Sequence, residues 1–206
     1  MRLKLPSGRR ILVSPLLLWE SGRDALLKVR TSGVFHPSHV TTRLSLGLLE
    51  ECLQTRPCET LLDVGCGCGI LALAGAAMGV GRVVGADIDW RAVRLSRLNA
   101  LENGLATATH WIAGSCAAVR GPFQCVVANL PYPVLEDLAN DLARLLATDG
   151  TLLLSGFQDI DWHGLHARLE RQNLEIFRTL SGDFTFYGIP PSGSFTWMAV
   201  MAKRRP

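Results

Sequence analysis

The chain has 206 residues, 48% of them hydrophobic and 19% charged. That composition supplies a sizeable core and excludes a disordered tail, and the length suits one domain or one domain with a small appendage. Lys and Arg total 21 against 18 Asp and Glu, so the formal charge of +3 is too small by itself to imply a polyanionic partner.

The opening stretch, MRLKLPSGRR, lacks the long apolar run of a signal peptide, and no later run reaches the roughly 18 residues of a membrane span. The expected setting is the cytoplasm, with no membrane partner. The six cysteines are spread along a core-forming chain and do not form a disulfide framework. Cys66-Gly-Cys68 has no second Cys or His pair at zinc spacing, so no metal is expected.

In chain order, Leu3 and Leu5, then Ile11 and Val13, alternate around Pro6-Ser7-Gly8-Arg9. This predicts a β-hairpin in an N-terminal appendage over residues 1–35. Residues 36–206 form the main domain. Residues 39–53 read as a helix, buried on a wide arc through Leu44, Leu46, Leu48, Leu49, Cys52 and Leu53, with Ser38 as its N-cap. Strands then alternate with helices. Strands are predicted at 60–64, 82–86, 109–113, 123–128 and 151–155. Helices are predicted at 70–78, 90–103, 134–146 and 161–172. Two terminal strands follow at 174–180 and 195–202. The cleanest helix divides Val134, Leu135, Leu138, Ala139, Leu142, Leu145 and Leu146 from Glu136, Asp137, Asn140, Asp141 and Arg144. Alternation with nearly all-apolar strands predicts a parallel sheet covered on both faces.

Glycine is 20 of 206 residues, and seven of these fall between 65 and 85. The densest run, Asp63-Val64-Gly65-Cys66-Gly67-Cys68-Gly69, joins a strand to a helix, where open α/β sheets bind ligands. Asp87 ends the next strand, 22 residues after Gly65, at the spacing of an acid that accepts ribose hydroxyls. A dinucleotide fingerprint would need Gly at 70, which is Ile70, and no Walker lysine follows. The ligand expected is an adenosine without a pyrophosphate. Asn129-Leu130-Pro131-Tyr132 follows the fourth strand. An Asn oxygen there can accept N–H groups and aim a nitrogen lone pair, Pro131 fixes the turn, and Tyr132 offers a stacking wall or a polar tip.

The combination D-V-G-C-G-C-G, G-A-D-I-D and N-L-P-Y resembles the class I S-adenosylmethionine-dependent methyltransferases. The resemblance covers roughly residues 36–202. It implies a Rossmann-like α/β three-layer sandwich with a seven-stranded, mostly parallel sheet of order 3-2-1-4-5-7-6, the last strand antiparallel. S-adenosylmethionine is the implied cofactor. Asp63, Gly65, Cys66, Gly67 and Gly69 would face its methionine part. Asp87 would bind the ribose, with Ile88 beside it in the cofactor-binding set. The segment after the third strand, Gly114, Ser115 and Cys116, would line the adenine. Many relatives carry an acid at the position of Ser115, which is a weaker acceptor. Asn129, Pro131 and Tyr132 would be the catalytic group, with Asn129 also near the cofactor. N-L-P-Y is similar to the motif of the ribosomal RNA adenine dimethylases.

Residues 34–43, V-F-H-P-S-H-V-T-T-R, resemble the H-P-T-T-R-L segment of the ribosomal protein lysine methyltransferases of the large-subunit type. They are also similar to V-x-x-P-x-x-D-T of the glutamine-nitrogen methyltransferases. The resemblance implies that Thr41 or Thr42 contacts the methionine end. The lysine enzymes carry a separate substrate-recruiting domain, and only about 35 residues precede His36, so recruitment is expected to differ here. The leading reading is N-methylation of a protein side chain, lysine or glutamine, on the translation machinery. Adenine N6 of a nucleic acid is the second reading, and an inactive cofactor-binding partner subunit is the reading from another class. Glycine spacing disfavours a dehydrogenase. His163 and His166 read as solvated helix positions, Trp162 and Trp197 as packing, and the aromatic 184–193 connection as part of the substrate wall. Oligomeric state is open.

Overall fold

The computed structural model describes residues 2–14, 25–31, 39–183 and 193–205. Two sheets form. The small one orders β1 (Arg2–Lys4), β2 (Arg10–Ser14) and β3 (Ala25–Arg30) as β1-β2-β3. β1 and β2 pair antiparallel, with Leu3 opposite Ile11, and β3 adds in parallel to β2. The large sheet contains β4 (Thr60–Val64), β5 (Arg82–Asp87), β6 (Thr109–Ala113), β7 (Phe123–Asn129), β8 (Leu146–Gln158), β9 (Leu174–Asp183) and β10 (Thr196–Arg204). Its order is β6-β5-β4-β7-β8-β10-β9. Counted within this sheet, that is the expected 3-2-1-4-5-7-6, and β10 is the antiparallel strand.

Among the described residues five α-helices cover the sheet: α1 (Val40–Thr55), α2 (Ile70–Ala77), α3 (Trp90–Glu102), α4 (Tyr132–Leu145) and α5 (Trp162–Arg171). The apolar strands divide their side chains by alternation. Leu61, Cys125 and Val127 face α1 and α2, whereas Leu62, Val126 and Ala128 face α4 and α5. No described helix is long and apolar enough to cross a membrane.

Several bounds differ from the sequence reading for local reasons. α4 begins two residues earlier than 134, because Pro133 falls in its first turn, where no backbone N–H is needed. β8 is longer than 151–155, because Leu146 pairs with Phe123 ahead of a register irregularity. The N-cap of α1 is His39, whose side chain accepts from the Thr41 N–H. Ser38, His36 and the 184–192 stretch lie outside the described residues.

The small sheet shares the core of the large one. Leu3, Leu5, Ile11, Val13, Leu27 and Val29 are buried in one cluster with Leu46, Leu48 and Leu71. Buried Glu50 of α1 accepts from the Ser7 N–H (2.9 Å), the Ser7 hydroxyl (2.6 Å) and Arg9 (3.1 Å). Burial alone would raise the Glu50 pKa, but these donors outweigh it and the net shift is downward. The edge of β3 is held by α3. Asn99 accepts from the Arg30 N–H and donates to its carbonyl, and Asn103 does the same for Lys28. Two side-chain amides thus replace the missing neighbour strand.

Gly85 of β5 is a packing requirement. A Cβ there would enter the ring of Trp111. Gly85→Ala should therefore destabilise the chain by about 1–3 kcal/mol through overpacking. The thermal midpoint should fall by several degrees, and an unchanged midpoint would contradict this packing.

Candidate functional site

The strand ends of β4, β5 and β7 open into a cavity of about 650 Å³. This volume suits a nucleoside-sized ligand. The turn after β4 forms the near wall. Gly65, Gly67 and Gly69 all have positive φ (71°, 56° and 81°), which L side chains rarely adopt. The N–H groups of Gly65 and Cys66 donate to the Ala86 carbonyl and tie the turn to β5. A Cβ at Gly65 would strike Leu130, so this glycine also lets the N-L-P-Y segment approach. Gly69 caps α2 without a side chain, and Asp63 supplies the missing acceptor: its Oδ2 takes the Ala72 N–H at 3.0 Å.

Asp63 is fully buried and lines the cavity. Burial raises its carboxyl to about 7, the Ala72 bond opposes the rise, and Asp87 reinforces it. The folded chain therefore holds this proton more tightly than the unfolded chain, where such a group titrates near 4. The linked stability is fully present below about pH 4 and is lost as pH rises through about 7. Asp63→Asn keeps an acceptor and removes the charge. The melting temperature of this variant minus that of the wild type, without ligand, should therefore increase from about pH 5 to about pH 8. A constant difference would contradict the shift.

Asp87 fastens the other side of the turn. Its Oδ2 accepts from the Gly67 N–H and its Oδ1 from the Asp89 N–H, both at 2.9 Å. A carboxylate has about four acceptor positions, so capacity remains for two hydroxyls on the cavity side. Ile88 is 84% exposed yet lines the cavity rim. Gly114, Ser115 and Cys116 line the next stretch. The Ser115 hydroxyl is committed to the Ala117 N–H at the start of a short 3-10 turn. Cys66 and Cys68 also line the wall, and burial raises both thiols, Cys68 to about 11.

Asn129 ends β7 at the cavity. Its Oδ1 is buried and has no hydrogen-bond partner among the described residues. An orphaned buried acceptor is uncommon and calls for an absent donor. Pro131 lines the cavity beside it. Tyr132 does not: its hydroxyl lies against Gly164 of α5, near Glu136 and Asp161.

The far wall comes from elements remote in sequence. Thr41 and Thr42 are buried in the first turn of α1 and line the cavity with His39. His39 Nδ1 lies 2.9 Å from the Thr41 hydroxyl, and its ring meets Trp197 edge-on at 4.7 Å. Burial, then Arg43, lowers the His39 pKa, which keeps the ring neutral at pH 7. Gly156, at φ 97°, lies against the Leu130 backbone and also lines the cavity. No local signal marks Trp197, because its place depends on strand order, whereas His39 falls within the 34–43 segment marked by resemblance. His163 is exposed and His166 pairs with Glu170 at 3.5 Å. No group of His, Cys, Asp or Glu among the described residues could hold a metal.

Comparison with known proteins gives the family. Residues 36–182 match the family model of the ribosomal protein L11 methyltransferases (PrmA). The chain belongs to the ribosomal protein L11 methyltransferase family. A relative from Pelotomaculum thermopropionicum, named ribosomal protein L11 methyltransferase, is 39% identical over 156 residues, 73% of this chain and 49% of that protein. The chain spans about half the length of the curated relatives that it matches. The crystal structure of a ribosomal protein L11 methylase from Lactobacillus delbrueckii subsp. bulgaricus has the same fold. Its TM-score is 0.76 at 24% identity, covering 98% of this chain and 95% of that one. Magnesium protoporphyrin IX methyltransferase from Synechocystis, solved with bound S-adenosylmethionine, shares the fold at TM-score 0.61 and 20% identity, covering 77% of this chain and 75% of that one. The family match spans the glycine turn, Asp87 and Asn129, and its first residues precede Thr41 and Thr42.

Proposed function

We propose that this chain methylates a side-chain nitrogen of a ribosomal protein, a lysine of protein L11 in the first place, using S-adenosylmethionine. The observation that carries this reading is the buried Asn129 Oδ1, without a partner among the described residues, in a cavity that Asp87, two strands away, also lines. Family membership supports the substrate class. Six free cysteines support a reducing setting, the cytoplasm. In this reading residues 36–206 are the catalytic unit, and β1–β3 are a flank clamped to it.

The residues present suit the cofactor. The Asp87 carboxylate would hold the ribose hydroxyls, with Ile88 against the adenine edge. The 114–116 segment would line the adenine, relying on backbone groups where the Ser115 hydroxyl is already engaged. Gly65, Cys66 and Gly67 would give the methionine chain a close backbone approach. Asp63 and Thr42 would face its ammonium and carboxylate ends. When bound, S-adenosylmethionine supplies an electrophilic methyl group on a sulfonium.

The protein's own work is then positioning and exclusion of water. Asn129 Oδ1 accepts an N–H of the incoming amine and turns the nitrogen lone pair along the cavity. The acceptor must be neutral, and an apolar mouth helps by disfavouring the ammonium form. Leu130, Pro131, Val134 and Trp197 supply that surface. His39 borders the same cavity with its Nδ1 held by Thr41, so it serves there as a fixed wall. The face of Trp197 can hold a cationic side chain as it enters.

Methylation of a nucleic-acid base is the second reading. It loses support because Tyr132, which would wall one face of a planar base, is turned toward α5. Incubation of the chain with labelled S-adenosylmethionine, purified protein L11 and ribosomal RNA separates the two. Label in L11 at lysine is the expected result. Label in RNA alone would overturn the reading, and cofactor binding without label in either would favour an inactive subunit.

A further inference from the structure

Three elements remote in sequence meet at the Asn129 side of the cavity, and the end of β8 touches all of them. Ser155 is fully buried. Its carbonyl accepts from the Leu130 N–H at 3.0 Å, which fixes the residue after Asn129. Its hydroxyl donates to the Met198 carbonyl of β10 at 3.0 Å and lies 3.5 Å from the Thr41 carbonyl of α1. Gly156 follows as a β-bulge: Ser155 pairs with Ala199 and Phe157 with Met198, so Gly156 is the extra residue between them. Such a bulge bends its strand and re-aims the side chains beside it. Beyond it, Gln158 pairs with Trp197.

Gln158 is buried, and both ends of its amide are used. The oxygen accepts from the Asp161 N–H in a capping box, and Nε2 donates to the Ser194 carbonyl at 2.7 Å. Ser194, also buried, donates its hydroxyl to Asp159 Oδ1 and accepts from the Thr196 N–H at 3.1 Å. The chain therefore enters β10 already tied to the end of β8, just ahead of Trp197. A buried amide with every group partnered specifies one arrangement, because any other leaves a donor or an acceptor bare.

We propose that the Ser155–Gln158 stretch of β8 sets the gap between Asn129 and Trp197, with Gln158 and Ser194 as the positioning residues that hold Trp197. The proposal rests on the methylation reading above, in which the acceptor side chain passes between these two residues. One short stretch holds both sides of that passage. Leu130 hangs from the Ser155 carbonyl, and Trp197 is fixed by its pairing with Gln158 and by the Gln158–Ser194 bond. Trp197 meets His39 edge-on and is half-buried, so its ring has the cavity on one side and β8 to set its place on the other. Loosening Gln158 should leave the cofactor walls at β4 and β5 untouched and widen the acceptor passage alone.

The test uses the full chain and reads Trp197 before it reads the reaction. Acrylamide quenching of Trp197 is taken as the difference between the chain and its Trp197→Phe variant, each with and without Gln158→Leu. Gln158→Leu should raise the Trp197 quenching constant at least about twofold, because the ring is no longer held against its neighbours. In labelling assays it should raise the KM for protein L11 about tenfold, with kcat within about threefold and the Kd for S-adenosylmethionine within about twofold. In a Trp197→Ala background the same substitution should change that KM by less than about twofold, because nothing remains to be positioned. Ser194→Ala removes the hydroxyl and keeps the carbonyl. It should act in the same direction with a smaller effect, and it carries the test if Gln158→Leu does not fold. Asp183→Ala removes the exposed bond to the Thr196 hydroxyl on the same strand and should leave every readout unchanged. Unchanged Trp197 quenching in Gln158→Leu and Ser194→Ala would overturn the proposal, as would a KM effect that adds in full to that of Trp197→Ala. If the methylation reading fails, the wild type labels no L11 while the quenching result still stands; if only the positioning fails, L11 is labelled and the quenching does not change.

Discussion

Asn129→Ala is expected to lower the rate of methyl transfer by about 10²–10³-fold while leaving the affinity for S-adenosylmethionine within a few-fold. The reason is the position of one atom. Asn129 Oδ1 is buried at the cavity and has no donor among the described residues, so the acceptor amine is the donor that the proposed reaction brings to it. Its removal takes away the aim of the nitrogen and leaves the walls that hold the cofactor. Because the oxygen has no partner among the described residues, the variant should also fold normally. Single-turnover rates with labelled cofactor and protein L11, beside calorimetry, check both halves. A rate within threefold of wild type would sink the assignment.

Asp87→Ala should act two strands away, and in the opposite way. Both Asp87 oxygens hold backbone N–H groups, of Gly67 and Asp89, and the same carboxylate faces the expected ribose. Hydrogen bonds to a charged group contribute about 1.5–3 kcal/mol each, so loss of the ribose bonds and of the turn's tether should raise the Kd at least about 100-fold. Asp87→Asn keeps one acceptor and should fall between. The rate at saturating cofactor should recover most of its wild-type value in Asp87→Asn, which separates a binding role from a chemical one. An unchanged Kd in Asp87→Ala would place the ribose elsewhere.

Much of the large sheet is legible in the sequence because its strands are short apolar runs punctuated by glycine, proline and asparagine. Thr60–Val64 and Thr109–Ala113 are bounded in the structure where the pattern bounds them. β3 is not legible. Its partner β2 is parallel, so no hairpin turn announces it, and its free edge is satisfied by Asn99 and Asn103, about 70 positions away. The floor of the cavity follows from sequence because Gly65, Asp87 and Asn129 all stand at strand ends, where an α/β sheet presents ligands. Its roof does not. Trp197 reads as packing until β10 is seen between β8 and β9, which brings it against His39 at the start of α1. Tyr132 shows the limit of a motif. The helix begins at this residue, and that phase turns the ring toward α5 and away from the cavity.

The glycine spacing argues against a dinucleotide, and two of these glycines also serve packing inside the protein. Gly65 makes room for Leu130 of the acceptor segment, while Gly69 packs under Trp111 and Ser96 at the start of α2. The turn is shaped as much by its neighbours within the protein as by a ligand.

A crystal structure of this chain with S-adenosylhomocysteine and a lysine-containing L11 peptide is the most direct measurement. The account predicts the ribose on Asp87, the sulfur directed toward Asn129, and the lysine nitrogen within hydrogen-bond distance of Asn129 Oδ1 beside Trp197. A ligand whose sulfur points away from Asn129, or a lysine that enters from another face, would contradict it.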